Sequence, residues 1–187
     1  MVQIKDKKFA IFIPESQIQA RIAQLGEQLN RDYVGKEPLF IGVLNGSFMF
    51  MADLMKKITV SSYVSFVRVS SYEGTQSTGK LTEIIGLQAD LKGRHVVIVE
   101  DIVDTALTMS QLVEQLHNQQ PASLEVVTLL CKRDAMQKEL SLTYVGFEIP
   151  NAFVVGYGLD YDGLGRNLPD LYVWQEKAGN ELAALVL

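Results

Sequence analysis

Four consecutive apolar residues, Val96-Val97-Ile98-Val99, lie between the turn-forming pair Lys92-Gly93 and the acids Glu100 and Asp101. A strand wetted on one face alternates apolar with polar, because successive side chains point to opposite sides. An unbroken run belongs instead to a strand covered on both faces, as in a parallel sheet with helices above and below it. Leu39 to Leu44 is a second such run, and it ends in the turn residues Asn45-Gly46-Ser47 before a helical stretch from Phe48 to Lys57. Helical spacing recurs at Ile18, Ile22, Leu25 and Leu29, which predicts a helix over 15–32 opened by a capping box at Ser16 to Gln19. It recurs again at Met109, Leu112, Val113 and Leu116. Further strands are expected at Val60 to Val69, Glu83 to Leu87, Leu124 to Leu130, Tyr144 to Phe147, Phe153 to Tyr157 and Leu171 to Trp174. The alternation gives the fold class: α/β, a parallel-dominated sheet flanked by helices. Ser70 to Thr82 is polar with almost nothing to bury, so it reads as a mobile loop between the two arms of a hairpin.

Length sets one domain over residues 1–187, with no repeat or linker to divide it. No apolar run approaches a membrane span, and Met1-Val2-Gln3-Ile4-Lys5 does not open a secretory signal, so the expected location is cytoplasmic with no membrane partner. A net charge of -5 gives no general attraction to nucleic acid. Cys131 is the only cysteine and His95 and His117 the only histidines, so any metal is a hard ion held by oxygen. Cys131 itself reads as a buried strand-end residue, Met49, Met51, Met55 and Trp174 as packing, and the apolar tail Leu182 to Leu187 as a docking segment.

Glu100, Asp101 and Asp104 cluster where the central strand meets its helix, the position at which open α/β sheets bind ligands. Strand geometry predicts that Glu100 and Asp101 diverge rather than share a proton, each free to accept from a sugar hydroxyl or a metal-bound water. Thr105, Ala106, Leu107 and Thr108 are expected to form the first turn of the helix, whose free N–H groups and positive dipole end favour a phosphate. An acidic pair beside a phosphate cup suits a sugar phosphate. Asp104 alone fits a helix cap equally well, and it is the triplet with two threonines that favours a site.

"VVIVEDIVDTALT" resembles the signature of the phosphoribosyltransferases. "GVLNGSFMFMADL", "VSSYEGTQSTG", "LLCKRD" and "YVGFEIPNAFVVGYGLDYDGLGRNLPDLYVW" follow in an order similar to that of the hypoxanthine-guanine branch. The resemblance implies the type I fold, with a small hood formed by terminal segments. It implies transfer of 5-phosphoribosyl from phosphoribosyl pyrophosphate to a 6-oxopurine, with Mg²⁺, in purine salvage, by a homodimer or homotetramer.

Carried onto this chain, the resemblance makes Asp104 the proton carrier at the purine's imidazole nitrogen and gives Glu100 and Asp101 the ribose hydroxyls and the metal shell. Asp104, Thr105, Ala106, Leu107 and Thr108 cup the 5-phosphate, and Lys132, Phe153, Val154 and Asp160 serve the purine, with Asp160 also on the metal. Leu44, Asn45, Gly46 and Arg166 meet the pyrophosphate, and Ser71 and Tyr72 belong to a lid. Without the resemblance, Lys132 and Arg166 read as surface charges and Phe153 to Val155 as core strand. Two positions depart from the family pattern: Asn45 stands where lysine is common, and Ala106 where glycine is usual. Alanine is strained there if the loop needs positive φ. Two rival classes are a nucleotide-sensing or RNA-binding regulator on the same fold, and a phosphoacceptor receiver domain, whose acids would stand nearer the start of the domain.

Overall fold

Ten strands and three helices follow one another along the computed structural model, which describes residues 1–71, 81–87 and 89–175. They are β1 (Val2–Ile4), β2 (Lys7–Ile13), α1 (Glu15–Asp32), β3 (Leu39–Leu44), α2 (Phe48–Met55), β4 (Tyr63–Ser71), β5 (Leu81–Ile85), β6 (His95–Val103), α3 (Leu107–His117), β7 (Ser123–Cys131), β8 (Tyr144–Glu148), β9 (Val154–Val155) and β10 (Leu171–Trp174). The main sheet has the order β5-β4-β3-β6-β7-β8, parallel except for β5, which pairs antiparallel with β4.

The apolar run of β6 divides between the two faces of this sheet. Val97 and Val99 join Phe40, Val127 and Leu129 under α1 and α2, where Ile18, Ile22, Leu25, Leu29, Phe50, Met51 and Leu54 close one core. Val96 and Ile98 join Leu39, Ile41, Val43 and Val126 under α3, packed on Met109, Leu112 and Leu116. Each fully buried branched side chain contributes about 1.5–3 kcal/mol, so both faces stabilise the strand and neither tolerates a polar residue. That double burial is why the run does not alternate.

The hood is a second sheet of order β1-β2-β10-β9, built from both ends of the chain around Ile4, Phe9, Val155 and Tyr172. The resemblance implies such a hood, but local patterning does not reveal β1 and β2, because the lysine-rich start of β2 masks the alternation.

Several expected boundaries shift. The capping box at Ser16 is absent: Pro14 is the N-cap, its carbonyl accepts from the Gln17 and Ile18 amides, and Ser16 lies inside α1. Asp170 caps the helix instead, its Oδ1 accepting from the Glu15 N–H at 2.8 Å. β6 continues past Val99 because β7 pairs with it through Val103 and Cys131, so Glu100 and Asp101 are strand residues. The expected strand from Phe153 to Tyr157 shrinks to Val154–Val155, since Gly156, Tyr157 and Gly158 all have positive φ. β4 starts at Tyr63 and extends to Ser71, and β5 starts at Leu81, so Ser70, Ser71, Leu81 and Thr82 of the expected loop are strand residues of the hairpin; the rest of that loop, 72–80, lies outside the described residues, as does the tail at 182–187. Among the described residues no helix is long and apolar enough to cross a membrane.

Candidate active site

β3 and β6 are parallel neighbours, so the turns that follow them emerge side by side at the carboxyl end of the sheet. Gly46, in the turn after β3 and one residue beyond the cis Leu44–Asn45 peptide, lies against the Asp101 carboxylate. A Cβ on Gly46 would stand 1.6 Å from Asp101 Oδ2, so only glycine fits. From the hood side, Gly158 closes on the Gly46 carbonyl so tightly that a Cβ there would lie 2.1 Å from the oxygen. Arg166 donates to the Gly158 carbonyl at 2.7 Å and pairs with Asp160 Oδ1 at 2.5 Å. Asp160 Oδ2 accepts from the Gly163 N–H at 2.7 Å, which occupies the other oxygen of that carboxylate. A continuous line of contacts thus runs from Asp101 through Gly46, Gly158 and Arg166 to Asp160, and joins the two sheets.

The acid pair departs from expectation. Glu100 and Asp101 do not part cleanly to opposite faces: Glu100 Oε1 accepts from the Asp101 N–H at 3.0 Å, and Asp101 Oδ1 accepts from the Ile102 N–H at 2.9 Å. Each carboxylate folds back on the next amide, which keeps the two groups in contact. Burial, and then the adjoining Asp101 carboxyl, push the Glu100 carboxyl well above the usual carboxylate range. Asp101 is itself buried. Two acids held together at this cost form a site that a cation would relieve.

Beyond β6, Asp104 Oδ2 accepts from the Lys132 ammonium at 2.7 Å. Lys132 follows β7, and its N–H donates to the Val103 carbonyl at 2.9 Å, so parallel pairing of β6 and β7 delivers both side chains to one point. The lysine is buried, with 8% of its side chain accessible, whereas Asp104 is 45% accessible and faces the opening. A solvated surface lysine is therefore not what the fold contains.

α3 begins at Leu107, so Thr105 and Ala106 precede the helix rather than forming its first turn. Ala106 is the N-cap, with φ 61° and ψ 3°, a left-handed conformation that costs an L-residue about 1–2 kcal/mol. Its methyl packs among Val103, Met109 and Leu112, which offsets part of that cost. The Thr105 carbonyl accepts from the Gln137 N–H at 2.9 Å and ties the turn to the segment after β7. Leu107 and Thr108 are exposed in the first turn, where helical N–H groups have no intrahelical acceptor and the dipole favours an anion.

On the hood side, Phe153 exposes its ring, which meets Tyr161 edge-on with centroids 5.8 Å apart and lies 6.2 Å from Phe9. Val154 is buried in β9. Tyr161 and Asp162 are held by Asp6 and Lys5 of the β1–β2 turn. Ser71 ends β4, and Tyr72 lies outside the described residues. The structure therefore brings Gly46, Asp101, Gly158, Arg166 and Asp160 into one line and Asp104 and Lys132 into one pair. Sequence reasoning passed over Tyr157, Gly158 and Tyr161, although the glycines flanking Tyr157 signal a special backbone.

A family model for the phosphoribosyl transferase domain matches residues 14–162. The chain belongs to the phosphoribosyltransferase family. Within it, the chain is 46% identical over 166 residues to the hypoxanthine-guanine phosphoribosyltransferase of Mycobacterium tuberculosis, covering 85% of this chain and 82% of that one. It is 35% identical over 178 residues to the protein of the same name from Aquifex aeolicus, covering 94% of this chain and 100% of the relative. The crystal structure of a hypoxanthine phosphoribosyltransferase from Staphylococcus aureus superposes with a TM-score of 0.84 at 42% identity, over 91% of this chain and 92% of the other. The phosphoribosyltransferase fold expected from the sequence, hood included, is the observed one.

Proposed function

We propose that this phosphoribosyltransferase acts in purine salvage, as a single domain over residues 1–187, transferring 5-phosphoribosyl from phosphoribosyl pyrophosphate to hypoxanthine or guanine. The products are IMP or GMP and pyrophosphate. In that reaction the bond from C1′ to the pyrophosphate oxygen breaks, a bond from C1′ to a purine nitrogen forms, and the purine gives up a proton.

The observation that carries the reading is the Asp104–Lys132 pair beside the start of α3. A 6-oxopurine presents its ring nitrogen N7 and its O6 side by side on one edge. A carboxylate and an ammonium 2.7 Å apart match that edge, Lys132 donating to O6 and Asp104 taking the proton at N7. An amino group at the 6-position would meet Lys132 donor to donor, which favours oxo over amino purines. Amides and hydroxyls of Thr105, Ala106, Leu107 and Thr108, with Asp104, hold the 5-phosphate. Glu100 and Asp101 accept from the ribose hydroxyls. Leu44, Asn45, Gly46 and Arg166 receive the pyrophosphate; because Asn45 is neutral, backbone N–H groups and Arg166 carry that task. Phe153 stacks on the base and Val154 offers backbone groups to its edge, while Ser71 and Tyr72 belong to a lid that keeps water from the reacting centre.

Among the described residues no three His, Cys, Asp or Glu side chains converge as a protein-only metal cage. The donor set fits Mg²⁺ nevertheless, since this ion keeps several waters and takes one or two carboxylates plus substrate phosphates. Glu100 and Asp101 would hold it, and Asp160 would join only by releasing Arg166 or Gly163. When bound, the ion neutralises charge on the leaving pyrophosphate. Assembly as a homodimer or homotetramer in the cytoplasm completes the proposal.

Pyrophosphate release on mixing the protein with phosphoribosyl pyrophosphate, Mg²⁺ and hypoxanthine tests it. Turnover with hypoxanthine and guanine but not adenine or uracil is expected. Retained nucleotide binding without turnover would favour the regulator instead.

A further inference from the structure

Asp53 of α2 lies away from the reacting groups, yet it collects hydrogen bonds from α1, from the hood segment and from the end of its own helix. Tyr157 Oη donates to its Oδ2 at 2.5 Å, Gln19 Nε2 of α1 donates to the same oxygen at 2.6 Å, and the Lys56 ammonium meets Oδ1 at 2.8 Å. Burial pushes the Asp53 carboxyl up, and the three bonds together outweigh it and leave the carboxyl lowered. Tyr157 is 1% exposed, so its hydroxyl has no water to turn to. It stands between Gly156 and Gly158 at φ 47°, a backbone that aims the ring into the core beneath α2.

The next residue makes the second contact. Gly158 presses on the carbonyl of Gly46, which precedes α2, while Tyr157 grips Asp53, which lies within that helix. Two consecutive residues of the hood segment thus hold both ends of the unit from Gly46 to Asp53. The bonds within the turn itself are long: Ser47 N to the Val43 carbonyl is 3.3 Å and Phe48 N to the Asn45 carbonyl is 3.4 Å. Ser47 Oγ is buried without a hydrogen-bond partner, so the side chain adds nothing to fix the turn. The turn is placed from outside.

We propose that Tyr157 is a positioning residue for the turn at Asn45 to Ser47, clamping it through Asp53 and Gly158 in the geometry that receives pyrophosphate. This inference rests on the reading of that turn as the pyrophosphate loop. Its role differs from that of Arg166, which fastens Gly158 from the far side and is itself assigned to the pyrophosphate in the proposed function.

Tyr157→Phe removes the hydroxyl and keeps the ring. Tyr144→Phe is the control: Tyr144 is also buried and donates to Asp32 Oδ2 at 2.7 Å, but it sits at the amino end of the sheet, where β8 begins. Amide hydrogen exchange at Ser47 and Phe48 reads the clamp without any activity, and exchange is expected to accelerate about tenfold or more in Tyr157→Phe and to stay unchanged in Tyr144→Phe. The KM for phosphoribosyl pyrophosphate is expected to rise about fivefold or more in Tyr157→Phe, with the KM for hypoxanthine within about twofold of wild type. Asp53→Asn should reproduce both effects, and adding it to Tyr157→Phe should cost little more. It also serves as the test variant should Tyr157→Phe not fold. Unchanged exchange at Ser47 and Phe48 would overturn the clamp, and so would accelerated exchange with no change in KM for phosphoribosyl pyrophosphate in an active enzyme. Accelerated exchange in Tyr157→Phe, when the wild-type protein shows no pyrophosphate release, would uphold the clamp and overturn the functional reading instead.

Discussion

Gly158→Ala places one methyl group where the two sheets meet the candidate site. The new Cβ would lie 2.1 Å from the Gly46 carbonyl oxygen, and real Cβ contacts do not fall below 3.0 Å, so backbone must move by at least the difference, 3.0 − 2.1 = 0.9 Å. Gly158 also has φ 100°, which costs a residue bearing a Cβ about 1–3 kcal/mol. Stability therefore falls, by about 2–4 °C in Tm per kcal/mol for a chain of this size. Displacement is the more specific consequence. Gly46 is hemmed in by Asp101 on its other side, so the shift reaches the pyrophosphate turn and the acid pair together. A misplacement of about 1 Å can cost about 10²-fold in rate. The expected result is a fall of that order in kcat/KM for phosphoribosyl pyrophosphate, measured by pyrophosphate release, with hypoxanthine affinity altered far less. Gly35→Ala is the comparison, because Gly35 has φ 71° but nothing within 4 Å of its would-be Cβ, and so carries strain without collision. If the two variants lose stability alike and both keep wild-type kcat/KM, the close approach of Gly158 to Gly46 has no bearing on the site.

Glu100 titrates higher in the folded chain than in the unfolded one, so between those two values the folded state holds the extra proton and stability falls as pH rises. Glu100→Gln should therefore be more stable than wild type at pH 7 without divalent cations and no more stable in acid; denaturant titrations at both pH values check this. Asp104→Asn should lower kcat about 10²–10⁴-fold while phosphoribosyl pyrophosphate binding, followed by calorimetry, stays within a few-fold. Equal loss of both would remove the proton role. Lys132→Ala should raise the hypoxanthine KM about 10–100-fold, the loss of a charged hydrogen bond, and an unchanged purine KM in steady-state kinetics would refute the O6 contact.

Much of the main sheet was legible because burial leaves a periodic trace. Val96 to Val99 announced a strand covered on both faces, and the division of its side chains between two cores is the reason. α1 was readable over its whole length from Ile18, Ile22, Leu25 and Leu29, although its cap was not, since Asp170 caps it from across the chain. The acid cluster and the phosphate turn announced themselves by local order, as did the possible strain at Ala106, which does adopt positive φ. What escaped depends on partners distant in sequence. Asp104 meets Lys132, Gly158 meets Gly46 and Tyr157 meets Asp53 only because strand order and the hood bring them together. The contact between Glu100 and Asp101 was misjudged because strand alternation governs Cβ direction, whereas a flexible carboxylate can fold back on a neighbouring amide.

The central claim concerns where one ligand lies: ribose over the Glu100–Asp101 pair, its 5-phosphate on the turn from Thr105 to Thr108. A crystal structure with phosphoribosyl pyrophosphate, Mg²⁺ and an unreactive 6-oxopurine analogue measures it directly. The account predicts ribose hydroxyl oxygens within hydrogen-bond reach of both carboxylates, the phosphate on the amides that open α3, and the purine edge against Asp104 and Lys132. A phosphate bound away from that turn, or a ribose that touches neither acid, would contradict it.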